Sequence, residues 1–267
     1  WEIMNWGVSG YGTTQEFLLL ESQGWSYDPD WVILGFYIGN DVRNNTMRLE
    51  QIEAFDWSEA RRPYYERLSS GELKLHVPSE KGKKKIQRRG WRYWLNDQSL
   101  LLAWVHDQLK EIRWVASWMV RLGWLSESTY QKKHGVIPTD YQVYAKDPFP
   151  EWNDAWEVTE QILAEISRAC EKQGVRFTVL IIPSALQVTP QRWRNVLNHY
   201  KAMQFIEWDL DKPVNQLIEI LKRHRIEYVN LKPIFEKEVR QEGDGFYYYL
   251  KDGHWTSEGH RLAASQL

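Results

Sequence analysis

Trp31-Val32-Ile33-Leu34-Gly35-Phe36-Tyr37-Ile38-Gly39-Asn40-Asp41 is the stretch on which the reading of the whole chain turns. Its first eight residues form a continuous apolar run, the pattern of a parallel strand covered on both faces. The run ends in Gly39-Asn40-Asp41, and open α/β sheets bind ligands beyond the carboxyl ends of their strands. An amide at Asn40 can donate a hydrogen bond into such a pocket. The same triplet is also ordinary turn composition.

Reading outward from this strand gives an alternating pattern. Before it, Trp1-Glu2-Ile3-Met4-Asn5 reads as a strand end and Gly7-Val8-Ser9-Gly10-Tyr11-Gly12 as a loop. Thr13 or Thr14 then caps a helix through about Ser22, and Gly24 follows it. From about Trp152 a second block begins. A helix over Asn153–Gln173, stopped by Gly174, leads into the strand Val175–Ile182, which Pro183 ends. A helix over Val214–Arg223 leads into the strand Ile226–Leu231. Helices alternating with such strands predict a three-layer α/β/α fold around a mainly parallel sheet.

Residues 44–151 break this rhythm and read as an insertion, or cap, within a single domain over 1–267. Tyr64–Leu68 and Glu72–His76, joined by Ser69-Ser70-Gly71, predict a β-hairpin. A basic run follows: Lys81, Lys83, Lys84, Lys85, Arg88, Arg89 and Arg92. Leu101, Val105, Leu109, Ile112, Val115, Met119 and Leu122 then recur at helical spacing. Nine of the 16 Trp residues fall between Trp57 and Trp156, so this region needs a use for them. Either Trp104, Trp114 and Trp118 pack the helix onto the body, or they form a membrane-surface contact beside the basic run.

Composition narrows the function classes. A net charge of −2 gives no global reason to expect nucleic acid as a partner. A single cysteine, Cys170, excludes an intramolecular disulfide framework and a cysteine-rich zinc site. No His-Glu-x-x-His spacing, Walker-type loop or dinucleotide fingerprint is present, so neither a metal nor a cofactor is expected. No apolar run is long enough to span a bilayer.

Asp252-Gly253-His254-Trp255 supplies a carboxylate and an imidazole in a loop before a helix that Thr256 or Ser257 can cap. That is the pairing a serine-type hydrolase needs for its base. Taken alone, Asp-x-His reads more readily as a surface Asp beside a loop His. His260, inside the predicted helix Ser257–Leu267, is the competing base and reads more simply as a packing residue. Gly10 offers a backbone N–H just before a helix, where an anion can bind, or makes a plain strand-to-helix turn.

Taken together and in this order, these elements resemble the SGNH/GDSL superfamily of serine esterases. Asn5–Glu16 looks like the family's second block, whose glycine lends a backbone amide to the oxyanion hole; the match falls on Gly10. Gly35–Asp41 looks like the third block, whose asparagine supplies another donor, here Asn40. Asp252–His260 looks like the fifth block, which carries the orienting Asp252 and the base His254. Those two residues stand two apart rather than the commoner three, with Trp255 following. That variant is similar to a branch that includes polysaccharide O-acetyltransferases.

The resemblance implies a flavodoxin-like sheet and a Ser-His-Asp ester hydrolase acting on a small-molecule or carbohydrate ester. It leans towards an exported or membrane-associated bacterial setting. Its Gly-Asp-Ser block, which carries the nucleophile, has no counterpart here. The family places that block before the second one, so the nucleophile is expected upstream of Trp1 in a longer protein. In a sheet of order 2-1-3-4-5 the first strand is central. Without it, Trp1–Asn5 and Trp31–Ile38 lack the neighbour they would share. Two alternatives stay open: a polysaccharide O-acetyltransferase, and a non-catalytic binding protein on the same fold.

Overall fold

The computed structural model describes residues 2–54, 62–78, 108–109, 112–122 and 137–267. The apolar run forms strand β1, Trp31–Tyr37, and the run before Pro183 forms β4, Arg176–Ile182. They pair in parallel from Trp31↔Arg176 to Tyr37↔Ile182. Strand β5, Glu227–Asn230, pairs in parallel on the other side of β4, giving the order β1-β4-β5. That is the order of the last three strands of a 2-1-3-4-5 sheet.

The centre of the sheet is β4, and its side chains alternate between two apolar layers. Val179 and Ile181 join Phe36, Ile162, Leu163, Leu217 and Leu221 in the larger cluster. Leu180 faces the smaller one, with Leu231, Phe235, Tyr248 and Ala263. Helices cover both faces, which makes the three-layer α/β/α arrangement.

Two helices of the larger layer follow directly from the sequence pattern. Helix α6, Pro150–Gln173, begins three residues before the expected Asn153, because Pro150 fits the first turn, where no N–H is needed. Helix α9, Lys212–Arg223, buries Pro213, Val214, Leu217, Ile220 and Leu221, one stripe at helical spacing.

Two expectations about the amino-terminal part need correction. No strand forms over residues 2–5; Ile3 is 87% exposed, and a strand without a pairing partner leaves its backbone groups unsatisfied. Nor is β1 covered on both faces. Leu34 and Phe36 are buried whereas Ile33 is exposed, and among the described residues β1 pairs only with β4.

Of the 44–151 stretch, both ends are built into the main core. Helices α2, Asp41–Asn44, and α3, Met47–Ala54, bury Asn45, Thr46 and Leu49. Helix α5, Thr139–Gln142, leads to the buried Tyr144 and Ala145. The expected hairpin is present as β2, Tyr64–Arg67, and β3, Leu73–His76, paired antiparallel. It docks on α6 through the Arg67–Glu157 ion pair and through Gln161 Nε2, which donates to Gly71 O. In helix α4, Arg113–Arg121, the buried residues are Ala116 and Met119, while Trp114 and Trp118 face solvent. Those two tryptophans therefore do not pack the helix onto the body. Trp104 and the basic run lie outside the described residues.

Candidate active site

Asn40 sits two residues beyond the last buried residue of the β1 run, Ile38, and precedes the first turn of α2. Its side chain makes no capping bond to the helix it starts. Gly10 lies in the loop before helix α1, Thr13–Ser22, with φ +79°, a conformation that favours glycine. Its carbonyl accepts from Arg62 Nη1 at 2.6 Å, and Arg62 is itself paired with Glu50 at 3.1 Å. Its N–H donates to no group among the described residues.

The two loops are pressed together. A Cβ on Gly12 would stand 2.6 Å from Asn44 Cβ, so only glycine allows α1 to approach α2 this closely. Beneath the contact lies a buried carboxylate pair. Asp41 is buried, and its Oδ2 accepts from Tyr37 N at 2.7 Å. Burial and the Glu16 carboxylate hold Asp41 well above the usual carboxylate range, against the opposing pull of Tyr37 N–H and Arg43. Burial pushes Glu16 up to about 7, and its Oε2 has no hydrogen-bond partner.

The Asp252–His254 turn is at the same edge of the sheet. A Cβ on Gly253, where φ is +75°, would stand 3.4 Å from Ala185 Cβ, in the helix α7, Ala185–Val188, that follows β4. Asp252 Oδ1 accepts from His254 N at 3.0 Å and lies 3.4 Å from His254 Nδ1. The His254 N–H and imidazole hold the Asp252 carboxyl below its ordinary range. With Nδ1 turned towards Asp252, Nε2 is the nitrogen left to exchange a proton. The His254 side chain is 83% exposed. Among the described residues no hydrogen bond joins this turn to Asn40 or Gly10.

The turn is held from outside by Arg192, in helix α8, Pro190–His199. Its Nε donates to Asp244 Oδ2 at 2.6 Å, and both terminal nitrogens donate to Tyr249 O at 3.2 and 3.3 Å. Tyr249 N in turn donates to His254 O, and Gly253 N to Tyr249 O. Nothing in the local sequence distinguishes this arginine from those on the surface. Asp244 and Tyr249 lie 52 and 57 residues from it.

His260 stands in helix α12, Ser257–Ala264, edge-on to Trp255 at 5.5 Å, as a packing residue would. Ser184 is buried, bonded to the Tyr144 hydroxyl at 2.8 Å and forming a capping box with Gln187. A serine held this way has no imidazole partner among the described residues and is buried away from a substrate. Among the described residues no group of three or more His, Cys, Asp or Glu side chains can hold a metal ion. No helix among them is long and apolar enough to cross a membrane.

Residues 146–267 match the family described as SGNH hydrolase-like domain, acetyltransferase AlgX. That span, a little under half of the chain, is thus similar to an SGNH hydrolase-like domain. The matched span holds β4, β5, Arg192 and the Asp252–His254 turn; Gly10 and Asn40 precede it. Neither the curated proteins nor the solved structures contain a match to the chain.

Proposed function

We propose that the chain supplies the base and the oxyanion donors of a serine-type acyl-transfer site that takes its acyl group from an ester. The observation that carries this reading is that two such groups lie beyond the carboxyl ends of paired strands. An Asp-oriented imidazole lies beyond β4, and an asparagine side chain that makes no capping bond lies beyond its neighbour β1. In the reaction, His254 Nε2 takes the proton of a serine hydroxyl as that oxygen attacks the ester carbonyl. Asp252 holds the imidazole and stabilises its charged form. Gly10 N–H and the Asn40 side chain receive the developing oxyanion. The proton then passes to the leaving alcohol, and the acyl-serine remains. The serine is the one the family resemblance places in a block before Gly10.

The second step is decided by the acceptor. Water gives an esterase, the simpler reading. A polysaccharide hydroxyl gives an O-acetyltransferase, which the description of the matched family favours. The exposure of His254 suits a large acceptor as well as water. The test is the full-length protein with p-nitrophenyl acetate, with and without polysaccharide. Free acetate in both cases supports the esterase, and acetylated glycan supports the transferase. No p-nitrophenol release under either condition overturns both and leaves a binding protein on this fold.

A further inference from the structure

Helix α1 opens with a defect. Its N-cap is Gly12, which has no side chain to accept from the free N–H groups of the first turn. The Thr14 N–H is instead satisfied from a distant element. Asn45 Oδ1 accepts from Thr14 N at 3.0 Å and from Thr14 Oγ1 at 3.1 Å. Asn45 Nδ2 donates to Thr159 Oγ1 at 3.0 Å, and that hydroxyl donates to Ala155 O at 2.7 Å within α6. Thr14, Asn45 and Thr159 are each 0% exposed.

The chain of bonds has a direction that matters for the site. Thr14 lies four residues after Gly10, and Asn45 lies five residues after Asn40, at the far end of α2. One amide therefore ties the loop that carries one donor to the short helix that carries the other. It also fixes both to α6, the longest helix among the described residues. Truncating it leaves the Thr14 N–H and the Thr159 hydroxyl without these partners in a buried interior, and removes the hydrogen bonds that fix the two arms relative to each other. Oxyanion donors act only when they are aimed before the charge develops.

We infer that Asn45 is a positioning residue for the oxyanion hole, acting through Gly10 and Asn40 without touching substrate. This rests on the acyl-transfer reading above, and the test separates the two. In the full-length protein, kcat and KM for p-nitrophenyl acetate are measured for Asn40→Ala, Asn45→Ala and the double variant, each normalised to folded protein by circular dichroism. Asn40→Ala should lose about 10²–10³ in kcat. Asn45→Ala should lose about tenfold with KM within about twofold, since misplacement of catalytic groups costs rate. The double variant should lose clearly less than the product of the two single losses, because both act on one hole.

Thr159 gives the check that does not depend on Asn45→Ala folding. Thr159→Val keeps the shape and removes the hydroxyl, and should lower kcat about threefold or more. Thr159→Ser keeps the hydroxyl and should stay near the parent value. Full kcat per folded molecule in Asn45→Ala, or in Thr159→Val should the former not fold, overturns the inference. So does a double variant whose losses multiply. Full kcat in Asn40→Ala instead overturns the oxyanion-hole reading itself, whatever Asn45 does.

Discussion

The two halves of the candidate site are built in opposite ways. The proposed donor half, Gly10 and Asn40, stands on a buried polar lattice of Thr14, Asn45, Thr159 and Asp41, with little solvent to screen or loosen it. The proposed base half, Asp252 and His254, is an exposed turn anchored chiefly by one arginine from outside. The difference follows from what each half has to do. A donor pair stabilises charge only by being fixed in advance, whereas a base has to reach a proton, release it and admit an acceptor.

The comparison is broken most directly at the base. In the full-length protein His254→Ala should cost about 10²–10⁴ in kcat on a short ester. His260→Ala should stay within about threefold, since His260 lies edge-on to Trp255 and pairs with no carboxylate among the described residues. The reverse order would move the base to His260 and undo the contrast between the halves.

A smaller effect tests how the exposed half is held. Arg192→Ala removes the bonds to Asp244 and to Tyr249 O, and should lower kcat about tenfold through a loosened His254. Arg192→Lys should recover only part of this, because an ammonium cannot donate to both partners with the guanidinium's planar fork. Full recovery by lysine would reduce the role of Arg192 to charge alone.

The smallest effect belongs to the buried half and is read as stability against pH. Glu16 has a folded-state pKa near 7, above its ordinary value, so the folded state binds the proton more tightly than the unfolded one. Its contribution is complete below the unfolded pKa and is lost as pH rises to about 7. The loss is on the order of 1–3 kcal/mol. Glu16→Gln should flatten the fall in Tm between pH 4.5 and 7 and leave the variant more stable than the parent at pH 8. An unchanged pH profile would mean that burial does not raise the proton affinity of Glu16.

The sheet was legible because its signals are local. The apolar run before Asn40, the run ended by Pro183, the stripe Val214-Leu217-Ile220-Leu221 and the Ser69-Ser70-Gly71 turn each announce one element. The strand expected over Trp1–Asn5 failed because strand character needs a pairing partner, which an apolar pattern does not supply. Asp252, His254, Gly10 and Asn40 could be picked out as a motif, and the Asp252–His254 contact could be anticipated from their spacing. Arg192 and Asn45 could not. Their partners are 31 to 114 residues away, and no short-range pattern encodes such contacts.

The capping of α1 by Asn45 also has a consequence in time. The Thr14–Asn45 and Asn45–Thr159 bonds close loops of 31 and 114 residues, and contacts of that separation are slow to form. Helix α6 and the hairpin can order themselves from nearby residues, but the donor loops acquire their relative placement only when all three segments have docked. A refolding chain should recover its helical signal well before it recovers turnover.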